Sequence, residues 1–239
     1  MTTYINGTSA VALEENKVIP FLVEEKQPEK KKGNYKTGEK QEVYPFKTKE
    51  DLQKMHEYFV KNREWRNDFM FIFGVNVGLR AGDLLKLTWG QIFPESYDKV
   101  ADTIVVKEEK TKKWRTFFLN DSCKRAAKEY LKRYITMNRK FPSKDEYAFL
   151  SQKEGHLSVR AAGKILKTTA ESVGIKFNVG THSMRKTFGY WQLKAHQGDA
   201  MFLCELQEMF NHTSPKITLR YCGLESEKMS QYYNDVCLL

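Results

Sequence analysis

The sequence predicts an α+β fold that is mainly α, with one small antiparallel β-hairpin set between helices. Three observations carry this. From Tyr44 onward, apolar residues recur at helical spacing over most of the chain. Midway, two β-branched and aromatic runs, Val100 to Val106 and Trp114 to Leu119, flank the polar segment Lys107 to Lys113, which is the pattern of a hairpin. Hydrophobic residues make up 41% and aromatics 13% of 239 residues, enough to build a core.

The elements follow in order. Residues 1–44 read as a tail or linker. Glu24 to Lys40 holds six lysines, four glutamates and two glycines. Such a stretch buries too little surface to offset chain entropy. Within the tail, Val18 to Val23 is a short apolar run with a weak strand signal. Residues 45–239 are assigned to the folded domain. Thr48 with Asp51 forms a capping box before a helix reaching about Asn62, and Leu52, Met55, Tyr58 and Phe59 share one face of it. A more apolar helix runs from Trp65 to Val77 and stops at Gly78. A short helix spans Ala81 to Leu87. After the hairpin, helices are expected at 121–139, 158–173, 182–196, 200–210, 215–222 and 225–235. Ser158 and Thr181 stand at N-cap positions, and Gly174 at a C′ position.

Forty Lys and Arg against thirty Asp and Glu give a net charge of +10. That surplus points to a polyanion such as nucleic acid, or to a merely basic soluble protein. Cys123, Cys204, Cys222 and Cys237 form no C-x-x-C pair and no zinc-ligand pattern with histidine, so they read as reduced thiols of a cytoplasmic protein. The N-terminus has no apolar run behind a basic start, and no stretch approaches the roughly 20 apolar residues of a bilayer span.

Three local patterns stand out. In Gly78-Leu79-Arg80-Ala81-Gly82-Asp83-Leu84-Leu85, an arginine ends a buried helix with a carboxylate three residues on. Alone, this reads as a structural Arg80–Asp83 pair. In Thr181-His182-Ser183-Met184-Arg185, the spacing puts a titratable ring and a fixed cation on one face of a helix start. In Leu206 to Tyr221, His212 lies between two helices and Tyr221 follows nine residues later; a lone tyrosine there is more often a packing residue. Lys107, Lys110, Lys112 and Lys113 crowd the hairpin tip, which alone reads as a solvated turn.

Taken together and in this order, these residues resemble the catalytic domain of the tyrosine recombinase (phage integrase) family. Arg80 matches its first arginine, with Asp83 as acidic partner. Lys110 matches its hairpin lysine, His182 and Arg185 its H-x-x-R motif, His212 its second histidine, and Tyr221 its nucleophile. The resemblance spans roughly residues 45–235. It departs in two places. Phe210-Asn211 replaces the usual Leu-Gly before the histidine, and asparagine still tolerates the positive φ of a tight turn. The usual N-terminal core-binding domain has no counterpart in the first 44 residues.

The resemblance implies site-specific DNA strand exchange through a 3′-phosphotyrosyl bond at Tyr221. Arg80 and Arg185 would hold phosphate oxygens with His212 as a further donor, His182 would act as base, and Lys110 as general acid. Lys112 and Lys113 share its turn, which leaves the lysine assignment open. Double-stranded DNA is the implied partner, with no metal, no cofactor and no membrane. Lys113, Arg115, Lys186, Lys216 and Arg220 lie near the motifs and are the expected DNA contacts. The helix at 225–236 is expected either to dock on a neighbouring protomer on DNA or to pack within its own chain. Two rival readings use the same residues: nicking and closing of the type IB topoisomerase kind, and a catalytically impaired DNA-binding protein on a recombinase scaffold.

Overall fold

The structure is a computed structural model that describes residues 42–224. The apolar run at 18–23, Cys237 and the helix expected at 225–235 lie outside the described residues. The described elements are, in order, α1 (Lys49–Lys61), α2 (Trp65–Val77), α3 (Ala81–Leu84), α4 (Trp89–Ile92), β1 (Thr103–Lys107), β2 (Trp114–Phe118), α5 (Asp121–Asn138), α6 (Val159–Ser172), α7 (Thr181–Ala195), α8 (Ala200–Phe210) and α9 (Pro215–Tyr221). The fold is therefore helices around one antiparallel hairpin, as expected.

The apolar helix α2 is the centre. Phe69, Met70, Phe71, Phe73 and Val77 are buried around its circumference, because α1, α5 and α7 all pack on it. Gly74 sets the approach of α7: a Cβ there would stand 2.3 Å from Met184 Sδ. A second, smaller apolar cluster joins the ends of α7, α8 and α9 through Phe188, Leu203, Leu206, Phe210 and Cys222. Gly189 permits that contact, since a Cβ would meet Cys222 Sγ at 2.5 Å and Phe210 Cε2 at 2.8 Å.

The hairpin pairs Thr103 with Phe118 and Lys107 with Trp114. Ile104, Val106 and, beyond the strand, Glu108 face inward by strand alternation. The caps follow local chemistry. Thr48, Asn120, Ser158 and Ser214 each accept a backbone N–H in the first turn of their helices. Gly78 ends α2 at φ 71°, and Gly174 follows α6 at φ 78°.

Three boundaries differ from the sequence reading. The helix expected to reach Leu87 ends at Leu84. The Leu87 carbonyl instead accepts from Ala148 N–H at 2.8 Å, and Thr88 caps a further short helix, α4, which the sequence reading did not anticipate. β1 begins at Thr103 rather than Val100, because Ala101 N–H donates to the Ile92 carbonyl at 2.9 Å, outside the ladder. Thr181 is the first residue of α7 and not its cap; Gly180 is the cap, with its N–H on Ser183 Oγ at 3.1 Å. Among the described residues, Cys123, Cys204 and Cys222 are free thiols. No described helix is long and apolar enough to cross a membrane.

Candidate active site

The site lies where α7, the hairpin and the α8–α9 turn meet. Arg185, 3% exposed, leaves the first turns of α7. Its Nη1 donates to the Gly78 carbonyl, its Nη2 to the Met209 carbonyl at 3.5 Å, and its guanidinium lies 4.3 Å from the Phe210 ring centroid. Arg80, the N-cap of α3, donates from Nη2 to the neighbouring Phe210 carbonyl at 3.4 Å. The two forks thus converge on adjacent carbonyls at the C-terminus of α8. Arg115 joins them, donating to Met209 O at 2.8 Å and Glu208 O at 3.1 Å. Three cations clamp the negative end of that helix. Burial pushes the Arg185 pKa down to about 10, with the Arg80 charge adding to the effect and Tyr221 opposing it. An arginine at that value is still cationic at neutral pH.

The clamp delivers the next two side chains. Asn211 ends α8 in the left-handed region at φ 55°, so the chain turns there without a glycine. His212 follows, with Nδ1 3.0 Å from Thr218 Oγ1. Tyr221, at the end of α9, packs edge-on against His212, with ring centroids 5.0 Å apart, and against Phe210 at 5.5 Å. Its hydroxyl stands 3.4 Å from His182 Nδ1. Burial raises the Tyr221 pKa to about 12, an effect that Arg185 and Arg80 only partly offset. Desolvation first, then the Lys186, Arg185, Arg80 and Lys110 charges, lower the pKa of His182. Desolvation, then Arg185, Arg80 and Lys110, lower that of His212. Both rings are neutral bases at neutral pH, set beside a protonated phenol and fixed cations.

Lys110 is exposed at the hairpin tip, and its charge acts on both histidines. Lys112, in the left-handed region at φ 59°, is instead felt by Glu109. Arg80, His182, Arg185, His212 and Tyr221 are therefore gathered at one place, with the Lys110 charge near enough to act on both histidines. Asp83 departs from its expected role. It is buried and accepts Glu109 N–H at 2.9 Å, so it ties α3 to the hairpin backbone, and burial raises its pKa. The carboxylate that pairs with Arg80 is Glu108, fully buried, at 2.6 Å from Arg80 Nη1. Glu108 also accepts from Thr111 Oγ1 at 2.6 Å and lies 3.5 Å from Arg115 Nε.

The expected DNA contacts divide. Lys113, Lys216 and Arg220 are exposed. Arg115 is occupied with α8 and Glu108. Lys186 is turned inward, 8% exposed, 3.6 Å from Glu42 Oε1 and over the rings of Tyr44 and Tyr221. Neither presents itself to a surface ligand as the sequence reading expected, because both sit on faces that pack against their own chain. Sequence reasoning missed Glu108 and Thr218. Strand alternation from Ile104 through Val106 signals Glu108, and a position three before Tyr221 on one helical face signals Thr218.

Comparison with known proteins decides the family. The phage integrase family model matches residues 45–228. The chain belongs to that family. It is 32% identical over 192 residues to the probable integrase/recombinase YoeC of Bacillus subtilis, covering 80% of this chain and 95% of that protein. It is 27% identical over 108 residues to the tyrosine recombinase XerC of Actinobacillus pleuropneumoniae, spanning 45% of this chain and 34% of the relative. Among solved structures, XerH bound to a palindromic difH substrate in its post-cleavage complex superposes with a TM-score of 0.60 at 20% identity, over 81% of this chain and 53% of that one. XerA recombinase superposes at 0.57 and 18% identity, over 84% and 65%. These two share the fold of this integrase-family chain.

Proposed function

We propose that the protein is a site-specific DNA recombinase that cuts and rejoins a strand through Tyr221. The observation that carries this is the Tyr221 hydroxyl 3.4 Å from His182 Nδ1, with two buried or half-buried arginines and a second neutral histidine around it. In the cleavage step the Tyr221 oxygen attacks the phosphorus and its proton passes to His182. The bond from phosphorus to the 5′-oxygen breaks, and that oxygen takes a proton from Lys110. Charge gathering on the non-bridging oxygens is met by Arg80, Arg185 and His212. The reverse attack by a 5′-hydroxyl of another strand restores the phosphodiester with no energy source, because the phosphotyrosyl bond conserves that of the broken one.

Double-stranded DNA is the substrate, and the enzyme works in the cytoplasm as an oligomer on DNA. The relatives named integrase and recombinase support this reading, as does the DNA substrate in the XerH complex. The test is covalent capture from a random-sequence library of nicked duplexes. Wild-type protein should form a denaturation-resistant adduct, and Tyr221→Phe should form none while retaining DNA binding. An adduct that persists in the Phe variant overturns the assignment. Relaxation of a supercoiled plasmid with no strand exchange would place the enzyme with nicking-closing proteins instead.

A further inference from the structure

We propose that Thr218 is a positioning residue that fixes His212 as its Nε2–H tautomer, so that the ring presents a proton rather than a lone pair to a bound anion. The inference rests on the reading of His212 as a phosphate donor. Thr218 lies one helical turn before Tyr221 and is fully buried. Its hydroxyl has a single proton and two neighbours: His212 Nδ1 at 3.0 Å and the Ser214 carbonyl at 3.5 Å. The Ser214 carbonyl already accepts Thr218 N–H at 3.3 Å. The longer contact is at the outer limit of a hydrogen bond. The Nδ1 contact is the shorter of the two, and the hydroxyl proton is assigned to it.

A neutral imidazole carries one proton, and one accepted at Nδ1 leaves it on Nε2. Nε2 is the nitrogen turned away from Thr218. Desolvation and the charges of Arg185, Arg80 and Lys110 keep the ring neutral, so the tautomer decides whether Nε2 can donate. In the other tautomer a lone pair would face the phosphate oxygen. The rest of the turn holds the ring in place: His212 N–H donates to Gln207 O at 3.0 Å, and Gln207 Nε2 donates back to His212 O at 3.1 Å. These bonds set the backbone and say nothing of the ring proton. Thr218 is the side chain whose chemistry reaches it.

The experiment is a long-range 1H–15N correlation spectrum of 15N-histidine protein, with His212 assigned from its loss in His212→Asn. Wild type and Thr218→Ser should show His212 protonated at Nε2. Thr218→Val, which keeps the shape and loses the hydroxyl, should move protonation toward Nδ1. In the adduct assay Thr218→Val should slow cleavage by about 10²-fold, the scale of losing one transition-state donor, while Ser stays within about threefold of wild type. DNA affinity should be unchanged in both. A wild-type spectrum with Nδ1–H, an Nε2–H tautomer that survives in Val, or a Ser variant as slow as Val overturns the proposal. Should Val fail to fold, the wild-type spectrum and the Ser variant still decide it. The spectra need no DNA, so a wild type that forms no adduct would sink the nucleophile reading while the tautomer stands or falls by its own signal.

Discussion

The Glu108 carboxylate, shielded from solvent, meets Arg80 Nη1 at 2.6 Å and thereby binds the hairpin to the arginine that caps α3. One carboxylate here serves Arg80, Arg115 and Thr111 together. Removing it leaves two cations facing one another in a desolvated place. Glu108→Ala is expected to cost about 3 kcal/mol of folding stability. Glu108→Gln keeps the shape and some hydrogen bonds and should cost less. Denaturant midpoints of the two variants check this, and an alanine variant as stable as wild type would contradict it.

Arg115 and Lys113 should separate cleanly in DNA binding. Lys113 is exposed near the hairpin tip, whereas the Arg115 fork is spent on the carbonyls of Glu208 and Met209. Lys113→Ala should lower the slope of log K against log salt by about 0.9, one phosphate contact. Arg115→Ala should leave that slope unchanged and instead slow adduct formation, because the end of α8 is no longer held. Titrations at several salt concentrations give both slopes.

The two histidines of the site make stability depend on pH. Their pKa values are lowered in the folded state, so the unfolded chain, with values near 6.5, binds more protons at mildly acid pH. Stability from these groups therefore falls as pH drops below about 6.5 and levels off below their folded pKa. His56 acts in reverse. Its bond to Asp68 at 2.7 Å raises its pKa, so its contribution is present in acid and lost as pH rises through the folded value. His182→Asn should thus gain on wild type on going from about pH 8 to about pH 5, and His56→Asn should lose. Thermal midpoints across that range test the signs.

Gly189 lets α7 pack closely on the α8–α9 unit. A methyl group there collides with Cys222 and Phe210, both fully buried. Gly189→Ala should cost about 1–3 kcal/mol by overpacking, despite the better helix propensity of alanine. It should also slow adduct formation, since the displaced segment carries His212 and Tyr221. A melting point at or above that of wild type would show that the segment yields without strain.

Much of this was legible in the sequence because periodicity and caps are local. The Thr48, Ser158 and Gly78 signals mark real helix ends, and the motif residues Arg80, His182, Arg185, His212 and Tyr221 meet at one place. What was not legible is long-range. Thr88 turns away from α3 because Leu87 pairs with Ala148, a partner some sixty residues distant that no local pattern reveals. Asp83 is at the right spacing for Arg80, yet the hairpin brings Glu108 to the guanidinium and takes Asp83 for its own backbone. Arg115 and Lys186 read as surface cations because charge alone does not tell an exposed face from one that packs on the end of another helix.

The arginine clamp on α8 has a genetic consequence. It seats Tyr221 beside His182, Arg185 and His212 of the same chain, so on the proposed function each copy of the chain would carry its own complete set of cleaving groups. Two inactive variants mixed together, one lacking Tyr221 and the other lacking Arg185, should not restore cleavage to each other, because neither can lend the missing group across the boundary between subunits. Complementation between dead partners would mean that the tyrosine is exchanged, and that the clamp lets go.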